Sequence, residues 1–152
     1  MRGTLVCGVD DGDGGRAALE LAAELSERLG LRLVLAHASV GIGAITNDSG
    51  ADGDESVSMT ANREGAARLL ARLAAEYGIG DSAERRSGTG DVASVIGQIA
   101  AEEAADMIIV GARSRGRMRR GLESRLAEQL GRETPVPVLI APPISRSVRM
   151  AA

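Results

Sequence analysis

The sequence predicts an α/β fold in which a parallel sheet of five strands carries helices on both faces. Three observations support this prediction. Short apolar runs, typical of strands buried on both faces, alternate along the chain with longer segments of helical periodicity. Glycine or proline residues separate most of these segments. Strands that alternate with helices in this way are joined by right-handed crossovers, which make neighbouring strands parallel.

The N-terminal part of the chain is expected to contain a strand, a helix and a second strand. The first strand, 4–9, is a nearly continuous apolar run. A glycine-rich turn is expected at 12–15. A helix then follows over 16–29, because its apolar residues recur at intervals of three and four, and it stops at Gly30. The second strand is predicted over 31–36.

The middle of the chain contains a long irregular segment, a helix and a charged strand. Positions 39–57 are rich in glycine, serine and aspartate and lack periodicity, so we expect a flexible loop or a lid there. A helix is predicted over 58–77, with Gly78 as its stop. The third strand, 82–87, contains charged residues and is therefore expected at an edge of the sheet.

The C-terminal part of the chain repeats the alternation. Asp91 is a good N-cap for a third helix, whose apolar positions continue to Ala100. The run 107–110 predicts a fourth strand that is buried on both faces. A last helix is expected over 122–131, and a fifth strand over 138–141.

Length and composition limit the class of protein. The 152 residues fit one domain, which we expect to span 1–143, with 144–152 as a loose tail. One histidine, His37, one cysteine, Cys7, and no lysine exclude a histidine-rich metal centre, a Schiff-base lysine and a P-loop lysine. We therefore predict no metal site. Neither a membrane span nor a signal peptide is visible, so we expect a cytoplasmic protein.

Charge is unevenly distributed along the chain. Residues 1–106 hold 9 arginines and 18 acidic residues, a net charge of −9, whereas 107–152 hold 9 arginines and 3 acidic residues, a net charge of +6. Six of these arginines lie between Arg113 and Arg125. Such a cluster can bind phosphate or form a solvated surface, and both interpretations stay open. The overall acidity and the lack of aromatic residues argue against nucleic-acid binding.

Three known ligand-binding loops are matched only in part. Residues 12–17 fit the Gly-x-Gly-x-x-Ala dinucleotide pattern, but nearby aspartates would repel a pyrophosphate and no acidic residue follows the second strand. Gly111 and Gly116 have the spacing of a Walker A loop that lacks its lysine and hydroxyl residue. An EF-hand loop is excluded because Ala22 stands where a glutamate is required.

An ordered set of short motifs resembles the universal stress protein family. The set comprises Val9-Asp10, Gly90-Asp91, the segment 106–111 around the fourth strand and the closing segment 137–142. This resemblance covers about 3–143 and implies an open five-stranded parallel sheet. It also implies a homodimer, which in this family is often paired through the last strand. We therefore expect the dimer contact at Val136–Ala141.

The resemblance further implies a site for ATP or another adenine nucleotide, with Mg²⁺, but the phosphate loop is altered. Nucleotide-binding members resemble Gly-2x-Gly-9x-Gly-Ser after the fourth strand. Counted from Gly111, the later positions hold Ser114, Ser124 and Arg125. Either the added Cβ atoms block the phosphate, or serine hydroxyls and arginines form a new anion site. The residues expected at the ligand are Val9, Asp10, Ala38, Gly111, Arg113, Ser114, Ser124 and Arg125.

Two functions are therefore considered. The first is a binding or signalling module with a degenerate nucleotide loop, which acts through dimerisation and partner proteins in a stress response. The alternative is an adenine-nucleotide sensor that uses the modified loop. No enzymatic activity is expected, because no nucleophile with a neighbouring base and no acid–base pair of carboxylates stands out.

Overall fold

The computed structural model describes residues 2–39, 55–112 and 120–143, along which strands and helices alternate. The strands are β1 (Thr4–Gly8), β2 (Arg32–Ser39), β3 (Ala83–Thr89), β4 (Met107–Gly111) and β5 (Val138–Ala141). The helices are α1 (Asp13–Leu29), α2 (Glu55–Glu76), α3 (Val92–Glu102) and α4 (Arg120–Glu133). Within these ranges no helix has the length and apolar character needed to cross a membrane.

The strands form one parallel sheet in the order β3-β2-β1-β4-β5. The predicted α/β class and the five-stranded parallel sheet are thus confirmed, as is the edge position of the charged strand β3. The opposite edge is β5, which pairs with β4 from Ile108↔Val138 to Gly111↔Ala141. Strand order reverses at β1 and β4, since β2 and β3 extend to one side of β1 and β4 and β5 to the other.

Two apolar layers cover the two faces of the sheet. Residues such as Leu5 and Leu35 point to the layer formed with α1 and α2, whereas Val6 and Val34 point to the layer formed with α3 and α4. All four side chains are fully buried. Each buried side chain of this size contributes about 1.5–3 kcal/mol relative to an exposed one, so burial on both faces explains the continuous apolar runs of the central strands.

The first helix begins earlier than the sequence predicts. A turn is expected at 12–15, but α1 already starts at Asp13, with Gly12 as its N-cap in an extended conformation (φ −83°, ψ 168°). The prediction failed because glycine has a low helix propensity. In the structure Gly14 and Gly15 are buried in the first turn, where they pack against the ends of β4 and β1. This packing outweighs the propensity.

The other differences concern where elements begin and end. Strand β2 continues to Ser39 instead of ending at 36, because its last three residues pair with Ser87, Gly88 and Thr89 of β3. Helix α2 includes 55–57, which the sequence assigns to the flexible loop, and α4 begins two residues before its predicted start. The rest of that loop, 40–54, and the predicted tail 144–152 lie outside the described residues.

Candidate functional site

A cavity of about 260 Å³ opens at the carboxyl ends of β1, β2 and β4. It lies where the strand order reverses, which is the usual position of ligand sites in open parallel sheets. The first turn of α1 forms one wall, and α3 and α4 form another. The lining residues are Gly8, Val9, Asp10, Gly12, Asp13, Gly14, Gly15, Ala36, His37, Ala38, Val92, Ile96, Val110, Gly111 and Leu126.

Apolar and polar residues both contribute to the lining. Val92 and Ile96 of α3, Val110 of β4 and Leu126 of α4 supply apolar surface. Among the described residues, the ionisable side chains in the lining are those of Asp10, Asp13 and His37. An apolar lining with a few polar groups is typical of small-molecule sites, where the polar groups orient the ligand.

Two hydrogen bonds hold the end of β1 to β2, one through the N–H of Val9 and one through its carbonyl oxygen. The Val9 N–H donates to the Ala36 carbonyl oxygen over 2.9 Å. The Val9 carbonyl oxygen in turn accepts from Nδ1 of His37 over 2.8 Å. Because both main-chain groups of Val9 are engaged, the chain leaves β1 in a fixed direction and places Asp10 in the cavity lining.

Asp10 shapes the turn between β1 and α1. Its Oδ1 accepts a hydrogen bond from the Gly12 N–H over 2.8 Å, and the carboxylate thereby closes the turn. Gly15 packs so closely that a Cβ built on it would lie 2.4 Å from the Asp10 carbonyl oxygen and 2.5 Å from Oδ1. Asp10 therefore has a structural role in the turn, and it also lines the cavity.

Asp11 belongs to a different environment from Asp10. Its carboxylate pairs with Arg72 of α2 at 2.8 Å and with Arg16 of α1 at 3.0 Å, and Arg16 also pairs with Glu76. Hydrogen bonds from Arg72 and Arg16 lower the pKa of Asp11 below its ordinary value. These ion pairs join α1 to α2, and Asp11 does not line the cavity.

Gly111 brings β4 into direct contact with the first turn of α1. A Cβ built on Gly111 would lie 1.8 Å from the carbonyl oxygen of Gly14 and 2.2 Å from its carbonyl carbon. Only glycine permits this approach, because the atoms in the way belong to the main chain. The same cavity wall therefore depends on two glycines, at 15 and 111, where a Cβ has no space.

The structure brings together four of the residues predicted at the ligand: Val9, Asp10, Ala38 and Gly111 all line the cavity. The other four cannot be placed with the ligand. Arg113 and Ser114 lie outside the described residues, and Ser124 and Arg125 belong to α4 with side chains outside the described part.

Sequence reasoning missed three apolar residues of the lining and the glycine wall. Val92, Ile96 and Leu126 have helical spacing, which is the pattern of ordinary core residues and gives no signal of a ligand site.

Burial raises the pKa of the Cys7 thiol, so this cysteine remains protonated and unreactive at neutral pH, as a small core side chain does.

Sequence comparison identifies the family of this chain. A profile of the universal stress protein family matches residues 1–142. The chain belongs to the universal stress protein family. The match extends from before β1 to beyond the last residue of β5, and so includes the whole sheet. No curated protein shows significant sequence similarity to this member.

Solved structures of universal stress proteins share the fold. One from Burkholderia pseudomallei has a TM-score of 0.68 and 24% identity, over 93% of this chain and 96% of that chain. A universal stress protein in complex with cAMP has a TM-score of 0.59 and 19% identity, over 91% and 95%. One from Archaeoglobus fulgidus in complex with dAMP has a TM-score of 0.55 and 17% identity, over 91% and 96%.

Proposed function

We propose that this universal stress protein is a binding module for an adenine mononucleotide, and that it signals through association rather than catalysing a reaction. The observation that carries the proposal is the cavity, which unites Val9, Asp10, Ala38 and Gly111 at the reversal of strand order. Complexes of two structurally similar proteins with cAMP and dAMP support the choice of ligand.

The size of the cavity favours a mononucleotide over a triphosphate. Its volume of about 260 Å³ is slightly below the range of about 300–1,000 Å³ that drug-sized ligands occupy. A nucleoside with one phosphate suits such a space, whereas a triphosphate is larger and needs more room. Ser114 after β4, and Ser124 and Arg125 in α4, stand where nucleotide-binding relatives resemble Gly, Gly and Ser.

Titration calorimetry tests the proposal with adenosine, AMP, cAMP and ATP with Mg²⁺. We expect saturable binding of AMP or cAMP below about 1 mM and weaker binding of ATP.

Asp10→Asn keeps an amide oxygen for the Gly12 N–H but removes the charged acceptor for a ribose hydroxyl. It should weaken adenosine binding about tenfold, since hydrogen bonds to charged groups contribute about 1.5–3 kcal/mol.

The matched control is Asp11→Asn, which makes the same charge change at a carboxylate outside the cavity lining. It should leave the affinity for adenosine unchanged. Absence of heat with every nucleotide at millimolar concentration would refute the proposal.

The combined variant Ser114→Gly, Ser124→Gly and Arg125→Ser should raise the affinity for ATP selectively. A fall in ATP affinity would instead show that the altered loop binds phosphate.

A second candidate function, assembly through the sheet edge, is favoured by the exposure of β5. Leu139 and Ile140 are 38% and 45% exposed in the single chain, although they belong to a strand of the sheet. The edge strand also offers main-chain groups to a partner. We propose that Val136–Ala141, which includes the edge strand β5, forms the contact of a homodimer. We propose that a partner protein is recruited to the same surface.

Light scattering coupled to gel filtration tests the assembly proposal. We expect a dimer at micromolar concentration, and Ile140→Arg should raise its dissociation constant at least about 100-fold, because a symmetric interface loses two buried side chains at once. Leu29→Arg is the control, since Leu29 is 58% exposed and lies at the end of α1, outside the proposed contact strand. A monomeric wild-type protein, or a dimer that Ile140→Arg leaves intact, would contradict the proposal.

A further inference from the structure

His37 is the single histidine of the chain, and it lies at the edge of the cavity. In β2, Leu33 and Leu35 face the layer of α1 and α2, so the alternation of the strand directs His37 to the same side. There the ring reaches across to β1 and hydrogen-bonds the Val9 carbonyl through Nδ1. The side chain is half-buried.

The hydrogen bond to Val9 determines which ring nitrogen carries the proton. A carbonyl oxygen can only accept, so Nδ1 of His37 must donate and therefore carries a hydrogen. In the neutral ring Nε2 is then an acceptor without a proton. Within residues 2–39, 55–112 and 120–143 no group hydrogen-bonds Nε2, so none of these residues engages this acceptor of a cavity-lining side chain.

The neutral and protonated rings differ only at Nε2. Both forms keep the Nδ1–H and therefore the bond to Val9, so protonation does not disturb the end of β1. Protonation converts Nε2 from an acceptor into a donor, however. The polarity that a ligand meets at this point of the cavity therefore reverses, while the fold around it is retained.

We propose that His37 is a specificity-determining residue, whose Nε2 selects a base with an exocyclic amino group over one with a carbonyl at the same position. The inference rests on the proposed nucleotide site and deepens it. A 6-aminopurine has an N–H that can donate a hydrogen bond to the neutral Nε2. The carbonyl oxygen of a 6-oxopurine can only accept, so it cannot form a hydrogen bond with Nε2. A ribose hydroxyl can donate or accept, so contact with ribose would produce no such preference.

The charged side chains around His37 fall into two groups. Some line the cavity, and the others lie outside its lining and are exposed or form ion pairs. Asp10 and Asp13 line the same cavity. The acidic and basic side chains of Asp11, Arg16, Arg72 and Glu76 pair with one another. The remaining described charges on the packed elements α2 and β3 are exposed or ion-paired: Arg63, Glu64, Arg68, Glu84, Arg85 and Arg86.

The test compares adenosine with inosine by calorimetry at about pH 8 and pH 5.5, a range that spans histidine protonation. Neither nucleoside carries a phosphate, so phosphate ionisation does not contribute. We expect adenosine to bind at least tenfold more tightly than inosine at the higher pH, and the ratio to fall at least tenfold at the lower pH. Because the chain has one histidine, ¹⁵N NMR observes its ring without overlap, and should show Nδ1–H and a shift of Nε2 upon adenosine binding.

Two variants separate the two nitrogens. His37→Asn places an amide N–H near the position of Nδ1, so it keeps the bond to Val9 and the melting temperature, but loses the nucleoside preference and its pH dependence. His37→Gln reaches the position of Nε2 without the bond to Val9, and should retain part of the preference with a lower melting temperature.

The outcomes distinguish a failure of the proposed role of His37 from a failure of the proposed nucleotide binding. A neutral ring that carries its proton on Nε2, or an unchanged preference in His37→Asn, overturns the role of His37 while nucleotide binding stands. Equal binding of adenosine and inosine by the wild-type protein at both pH values does the same. A wild-type protein that binds no nucleoside or nucleotide refutes the proposed function, and base selection with it.

Discussion

Replacing Gly111 by alanine is expected to destabilise the protein by about 3 kcal/mol or more, because the new methyl group has no space. Its position would be 1.8 Å from the Gly14 carbonyl oxygen and 2.8 Å from the Gly14 Cα. These are main-chain atoms in the first turn of α1, which cannot rotate away as a flexible side chain would. Relief requires α1 to separate from β4, and both elements contribute residues to the buried core.

The clash at Gly111 should also affect the cavity. Gly14 and Gly111 both belong to its lining, so a displaced α1 changes the wall that faces the ligand. We expect nucleoside binding by Gly111→Ala to be lost even at temperatures where the variant is still folded. Urea unfolding followed by circular dichroism gives the change in free energy, and calorimetry at low temperature gives the loss of binding.

Gly131→Ala is the matched control for the same chemical change. Gly131 lies in α4, is exposed, and has nothing within 4 Å of a built Cβ. Alanine has the higher helix propensity, so this variant should be more stable by about 0.5–1 kcal/mol. A loss of less than about 1 kcal/mol in Gly111→Ala would show that α1 and β4 separate easily, contrary to the contact described above.

The fold could be predicted because its main signal is local. Apolar runs such as 107–110 mark strands buried on both faces, and the structure buries Ile108, Ile109 and Val110 of β4, with Met107 partly buried. Element ends were less predictable because tertiary contacts determine them. The extension of β2 to Ser39 depends on pairing with Thr89, fifty positions along the chain, and no local pattern reports that pairing.

The candidate site was predictable in part for a similar reason. The resemblance to the universal stress protein family implies Val9, Asp10, Ala38 and Gly111 at the ligand, and all four line the cavity at the carboxyl ends of the strands. The packing function of Gly14 and Gly15 was not expected, since a glycine-rich segment looks like a turn from sequence alone. Close approach of two main chains depends on three-dimensional contacts, and sequence shows only that glycine is present.

The second large effect is expected at the opposite end of the sheet, where Glu103→Ala should destabilise the fold by about 2 kcal/mol. Glu103 follows α3, and its side chain is 9% exposed. It pairs with Arg32 of β2 at 2.8 Å and also with Arg86 of β3. Arg32 and Arg86 bind Glu84 and Glu102 as well, so five side chains form one continuous chain of charges.

Removing Glu103 should cost more than an ordinary surface ion pair because it joins three elements. Both arginines lose a partner whose side chain is only 9% exposed, and the end of α3 loses its ion pair to β2, although Glu102 still pairs with Arg86 of β3. The two arginine side chains are 36% and 41% exposed, so water replaces part of what is lost, which keeps the effect below the 3–5 kcal/mol of a fully buried pair.

Glu84→Ala is the control within the same chain of charges. Glu84 is 53% exposed and pairs with Arg32 alone among the described residues, so its removal should cost less than about 1 kcal/mol. Urea unfolding at low and high salt distinguishes the two variants: salt should reduce the effect of Glu84→Ala strongly and that of Glu103→Ala only slightly, because buried charges are less screened. Equal and small effects for both variants would mean that Glu103 is no more than another surface carboxylate, and that apolar packing alone attaches α3 to the sheet.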